Sequence, residues 1–324
     1  MSDIEPSGMP HQSEPASSAA PPRRRRRWWI VAIVAVVVLV YLAVVNLYAS
    51  SGQVGSTGES FEPKPGGVTV AMSPQSVDAV AQTISMDVAI GVSTELQDPD
   101  GIGLKYPVSV IISPVVGNQV VEFAADTIPG TQNVKVITSG EVETWPFDHY
   151  SVNPDSPTPG LAVIAYETID GARQPIPTNV IMSGSVPGWT LGASILPDSN
   201  ATLTTAEGSQ QVPLIDLTAS RSASTLAFAI LLLGLLIVMP VLVLFVAITA
   251  FSGRRKVEAS FMSWMGAMLF ATIPLRGFLP GSPPIGSWID FLIVLWVIVG
   301  LITGLAIYVS AWVRWGTPST PRSR

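Results

Sequence analysis

The sequence predicts a membrane α plus β protein, with a β-sandwich-like ectodomain between a single N-terminal transmembrane helix and three C-terminal transmembrane helices. Three observations carry that prediction. Long apolar runs fall at 28–48, 223–251, 257–273 and 288–313, and roughly 20 apolar residues rising 1.5 Å each cross the hydrocarbon core of a bilayer. Between the first and second run, short stretches alternate apolar with polar or small residues and are separated by turn signals, the pattern of a sandwich or barrel. Basic residues outside the 49–222 segment sit in short clusters beside the apolar runs.

Composition agrees. Only 12% of the 324 residues are charged, against roughly a quarter in soluble proteins. Residues 49–222 hold 18 Asp and Glu but five Lys and Arg. An acidic domain is a poor match for phosphate, so nucleic acid is not an expected partner. The absence of cysteine excludes disulfides, thiolate nucleophiles and Cys-type zinc sites.

Taken in order, residues 1–27 read as a disordered cytoplasmic tail rich in Ser, Pro and Ala that ends in the run Arg23–Arg27. The apolar run 28–48 begins at once and is longer than the 7–15 residues of a signal-peptide core; it reads as transmembrane helix 1. Residues 49–66 are a Gly/Ser/Thr/Pro linker and 67–222 the extracytoplasmic β-rich domain. Strand candidates there are Val68–Val70, Ile84–Ile90, Val108–Ile112, Val134–Ile137, Leu161–Tyr166, Val180–Ser185, Leu191–Leu196 and Ala201–Thr205. Turns are expected at Asp98-Pro99-Asp100-Gly101, Pro129-Gly130, Pro154–Gly160, Asp170-Gly171 and Pro187-Gly188.

Residues 223–251 read as transmembrane helix 2, with Gly234 and Pro240 tolerated inside it. A basic cytoplasmic loop occupies 252–256 and the shorter transmembrane helix 3 covers 257–273, ended by Pro274. A Pro/Gly-rich outer loop spans 274–287, transmembrane helix 4 spans 288–313, and 314–324 form a cytoplasmic tail. Four crossings from a cytoplasmic N-terminus put Arg23–Arg27, Arg254–Lys256 and the C-terminal arginines on one side, as the positive-inside rule requires. Trp28, Trp29, Trp312 and Trp315 then mark the inner boundary and Trp288 the outer one. The expected location is the plasma membrane, multi-pass, with both termini cytoplasmic.

Catalytic signals are missing. Neither G-x-S-x-G, H-E-x-x-H nor a Walker or G-x-G-x-x-G pattern occurs. The two histidines, His11 and His149, stand alone, and the acids around Asp98 lack the remaining positions of a calcium loop. Asn200-Ala201-Thr202 matches a glycosylation sequon, a pattern common by chance. No cofactor or metal is implied, and the chain is not read as an enzyme.

Two stretches stand out as structural or coupling sites. In Glu143–Tyr150, Trp145, Phe147 and Tyr150 form an apolar wedge around Asp148, a carboxylate that needs a cation or backbone amides if it is buried. The bland reading is a loop that packs its aromatics under a sheet while Asp148 caps its own backbone. In Pro274–Asp290, four prolines and three glycines fix a turn between two helices. Arg276 and Asp290 lie near the helix ends there and are expected to pair, with Asp290 also favoured at its helix N-terminus. A structural clasp competes with a partner or substrate site.

These stretches resemble a known family. One anchor helix, an external domain with a W/Y-P-F-D-x-Y element and three C-terminal helices resemble uncharacterised actinobacterial membrane proteins of the domain-of-unknown-function 4436 family. The stretch Arg276 to Asp290, R-x-x-x-P-G-x-P-P-I-G-x-x-x-D, is similar to them as well. The resemblance covers about 25–315 and implies no activity. More distantly, Trp145-Pro146-Phe147-Asp148 is similar to the F-P-F-D element of pentameric ligand-gated channels, at the membrane-facing base of a β-sandwich. There the aspartate pairs with an arginine just before the first pore helix. Arg221 occupies the corresponding place here, and the likeness implies an Asp148–Arg221 contact. Channels carry four helices after the sandwich and none before it, unlike this chain.

The function expected from these readings is a non-catalytic cell-envelope binding or interaction protein. Its partners are the lipid bilayer and an envelope protein or ligand held by the ectodomain, and the sequence is open to a homo-oligomer. The alternative is a ligand-responsive channel or transporter; against it, the spans carry almost no intramembrane charge.

Overall fold

The computed structural model describes residues 62–315, apart from 102, 153–159, 197–201, 206–207 and 213, together with scattered residues between 28 and 46. Contacts divide the chain into two units, Met1–Val45 and Asn46–Arg324. In the first, the described residues from 28 to 45 are helical (α1) and exposed. The tail with His11, the arginine run, the linker up to 61, the turn at 154–159, the first two residues of the Asn200 sequon and Arg322 and Arg324 lie outside the described residues.

The second unit begins with a β-domain of two main sheets. In the four-stranded sheet the order is β10 (Thr178–Met182), β1 (Val68–Asp78), β2 (Thr83–Val92), β5 (Gln132–Ile137). Only β1 and β10 run parallel. The eight-stranded sheet follows the path β4 (Val120–Phe123), β3 (Val108–Ser113), β8 (Leu161–Ile169), β14 (Leu214–Arg221), β7 (His149–Ser151), β6 (Ser139–Gly140). Outside that path, β9 (Ala172–Ile176) pairs with β8 and β11 (Trp189–Ile195) with β14. A separate hairpin joins β12 (Thr202–Thr205) to β13 (Gly208–Gln211).

Period-two alternation explains the burial. Ile84, Met86 and Val88 face inward from β2 while Ser85 and Asp87 between them do not. Val70 and Met72 of one sheet and Val110, Val163 and Leu217 of the other belong to a single buried cluster, so the two sheets share a core. Every stretch read as a strand overlaps one of these strands; β4, β6, β7, β9, β13 and β14 were not anticipated.

Ser222 alone separates β14 from α2 (Ala223–Phe251), and its hydroxyl caps the helix by accepting from the Thr225 amide at 3.3 Å. Then come α3 (Ala259–Gly277), a π-helical turn at Asp290–Val294, and α4 (Leu295–Trp315). Among the described residues, two helices are long and apolar enough to cross a membrane, Ala223–Phe251 and Asp290–Trp315; α3 is not among them. Gly300 and Gly304 let α4 approach α2 closely. A Cβ at Gly300 would lie 2.9 Å from Pro240 Cβ, and one at Gly304 2.6 Å from Val243 Cγ1. Glycines spaced G-x-x-x-G let two helix backbones approach in this way.

Pro274 does not end its helix. The turn runs on to Gly277, where the Phe278 amide donates to the Pro274 and Leu275 carbonyls at 3.1 and 3.2 Å. Proline lacks its own N–H but keeps its carbonyl, so the last turn can still close on it.

Candidate functional site

The candidate site is the junction between the β-domain and the helices, and strand register builds it. In the β7–β14 ladder, Tyr150 stands opposite Ala219 and His149 opposite Ser220; one step further brings Asp148 opposite Arg221. On the other side of β14, Arg221 is the register partner of Trp189. Cross-strand neighbours lie close enough for long side chains to meet, so the last residue of β14 finds an acid on one flank and an indole on the other.

Both expected charges are sealed there, with Asp148 1% and Arg221 5% exposed. Arg221 Nη2 donates to Asp148 Oδ2 at 3.0 Å, and Nε lies 3.1 Å from both carboxylate oxygens. The Tyr150 hydroxyl donates to Oδ2 at 3.0 Å. The guanidinium stacks 4.1 Å above the Trp189 ring, and the Trp189 ring meets Tyr150 edge-on at 5.7 Å. Burial, reinforced by the adjacent Asp148 carboxylate, pushes the Tyr150 phenol well above its ordinary range. Tyr150 therefore remains an O–H donor at any physiological pH. Buried ions cost desolvation that only good geometry and added hydrogen bonds offset, and this constellation supplies both.

Trp145 carries the contact into the helices. It follows a short 3-10 turn at Val142–Thr144, is fully buried, and belongs to the helical core with Leu279 and Ile289. Its indole N–H donates to the Pro280 carbonyl at 2.9 Å, and the Trp288 indole N–H donates back to the Trp145 carbonyl. The Trp145–Pro146 peptide bond is cis. Gly281, with φ +75°, lies so close over Arg221 that a Cβ would come within 2.1 Å of Nη1. The loop between α3 and α4 thus closes over the ion pair, and only a residue without a side chain fits there. Thr225 on α2 adds a hydroxyl bond to the Gly188 carbonyl at 3.0 Å.

Two expectations need correction. Phe147 is 63% exposed and not part of a buried wedge. Asp148 and Tyr150, two apart, share the inner face, which turns His149 between them outward, while Phe147 lies in the bend before β7. Nor does Asp148 cap its own backbone; its partners are Arg221 and Tyr150.

Arg276 and Asp290 form a separate pair within the same loop region, 23% and 17% exposed. Arg276 Nε and Nη2 each donate at 2.8 Å to one Asp290 oxygen, a bidentate fork. Nη2 also reaches the Pro283 and Pro284 carbonyls at 3.3 and 3.4 Å, while the Gly286 amide donates to Asp290 at 2.9 Å. This clasp fixes the Pro/Gly-rich loop that carries Pro280 and Gly281.

Residue reasoning missed Trp189, Gly281 and Trp288 as junction members. Trp288 stood only as an interface marker, and the contacts of the other two arise from tertiary approach. The spacing Gly300-x-x-x-Gly304 was a readable signal for the α2–α4 contact. Among the described residues, no group of three or more His, Asp or Glu is arranged to hold a metal ion.

Residues 59–212 match the family model described as Domain of unknown function (DUF4436). The chain's β-domain is similar to the DUF4436 family. A second model, Domain of unknown function (DUF8686), matches residues 221–315. Asp148 lies in the first matched segment and Arg221 opens the second, so the sealed ion pair joins the two. No curated protein matches the chain.

Proposed function

We propose that this protein is a multi-pass plasma-membrane protein with both termini in the cytoplasm. It presents a β-sandwich-like ectodomain to the cell envelope as a non-catalytic binding module. The observation that supports the reading best is the junction. A domain that only needs tethering can hang on a linker, whereas here the end of β14 enters α2 through one residue. Two indole hydrogen bonds beside the buried ion pair then tie it to the loop between α3 and α4. Such a mounting serves a module that must present a surface in one orientation or pass a binding event to the helices.

A photo-crosslinking residue placed at exposed Val80, Val116 or Ile128 tests this in intact cells. The expected result is one discrete adduct with an envelope component from at least one position. Turnover of an envelope substrate by the purified full chain, with no adduct at any position, would overturn it.

A ligand-responsive channel is the second reading. The Asp148–Arg221 pair supports it, since the channel likeness of the Trp145–Asp148 element implies that contact. Ligand-dependent conductance after reconstitution in a planar bilayer is its signature; a silent bilayer removes it.

A further inference from the structure

The opposite end of the helices carries a site of different chemistry. The α2–α3 loop holds Arg254, Arg255 and Lys256 in succession, all exposed, and among the described residues none of the three has an ion-pair partner. They line a half-open cavity of about 690 Å³ whose other walls include Phe245, Phe261 and Tyr308. The single acid on its lining is Glu258, so the lining carries a net charge of +2, three cations against one carboxylate. Its floor is rigid. The Tyr308 hydroxyl accepts from the Glu258 amide at 3.0 Å and donates to the Glu258 carbonyl at 2.9 Å, bolting the start of α3 to α4. The Glu258 side chain makes no capping bond to α3, leaving the first-turn amides of that helix uncapped by it. On the outer side the cavity opens along apolar helix surface, with Phe245 67% exposed.

We propose that this cavity binds an anionic phospholipid, its phosphate held by Arg254, Arg255 and Lys256 and its acyl chains laid along Phe245 and Phe261. A free phosphate would use the cations alone; the apolar wall continuous with them selects a ligand that is charged at one end and oily at the other. Basic pockets between membrane helices on the cytoplasmic side suit such headgroups. The inference rests on the membrane reading proposed above, and two measurements keep their failures apart.

In the first, membranes from expressing cells are washed with alkaline carbonate. Release of the chain into the supernatant overturns the membrane reading and this site with it, whereas retention in the pellet supports the reading. In the second, the full chain in neutral detergent is melted with phosphatidylglycerol, phosphatidylcholine or inorganic phosphate. Phosphatidylglycerol should raise the midpoint at about tenfold lower concentration than phosphatidylcholine, consistent with the attraction of a few cations for an anionic surface. Replacing Arg254, Arg255 and Lys256 together by Gln should erase that preference with the lipid-free midpoint unchanged, while Arg173→Gln in the β-domain should preserve it. Equal response to both lipids, a preference that survives the triple substitution, or a full shift from inorganic phosphate alone would each overturn the site.

Discussion

The described residues include two arginine–aspartate pairs of similar hydrogen-bond geometry in opposite circumstances. Arg221–Asp148 spans 73 residues of sequence, ties neighbouring strands of one sheet beneath the helical loop, and is sealed. Arg276–Asp290 spans 14 residues, stays inside one loop, and keeps part of its surface open. Water screens the second and cannot reach the first. Removing one partner from a sealed pair strands an uncompensated ion, while an open pair relaxes into solvent. The difference teaches that the first pair carries the architecture and the second merely shapes a loop.

Breaking the sealed side should be most costly. Trp145→Ala opens a cavity in the helical core and orphans the Pro280 carbonyl, and should cost about 3–5 kcal/mol, read as a fall in the unfolding midpoint of the full chain. Gly281→Val sets a side chain against the Arg221 guanidinium at a positive φ. A loss of about 1–3 kcal/mol is expected from overpacking and strain; an unchanged midpoint would mean that the loop does not close over the pair. Arg276→Gln on the open side should cost only about 1 kcal/mol or less, and its residual effect should shrink in high salt.

The smallest effect sharpens the comparison through pH. A phenol whose folded pKa lies above its unfolded value of about 10 contributes stability below pH 10 and loses it as pH rises beyond that. Between pH 9 and 10.5 the parent should therefore lose somewhat more stability than Tyr150→Phe, by less than about 1 kcal/mol. Parallel pH curves for the two proteins would show that Tyr150 is not held as a donor to Asp148.

Sequence made one level of this structure readable and hid another. Alternation in Ile84–Ile90 or Val108–Ile112 exposes a strand, because burial on one face requires it. β14 hid from that reasoning: Asp216, Thr218, Ala219 and Ser220 dilute the apolar signal of Leu214–Leu217, and its burial comes from pairing with β8, β7 and β11. Asp148, Arg221, Arg276 and Asp290 were visible as candidates because a carboxylate among aromatics, or a charge at a helix end, asks for a partner. Gly281 gave no local sign. What makes it irreplaceable is Arg221, 60 positions earlier in the chain, and proximity of that kind comes only with the fold.

A double-mutant cycle on Asp148 and Arg221 tests the central claim most directly. Asp148→Asn, Arg221→Gln and the double variant would be unfolded in the full chain, with the junction followed by near-ultraviolet dichroism of Trp145 and Trp189. If the pair locks the β-domain to the helices, each single change is severe. The double should then be milder than their sum by about 1–3 kcal/mol. Losses that add to within about 0.5 kcal/mol would contradict the lock and leave the junction as ordinary packing.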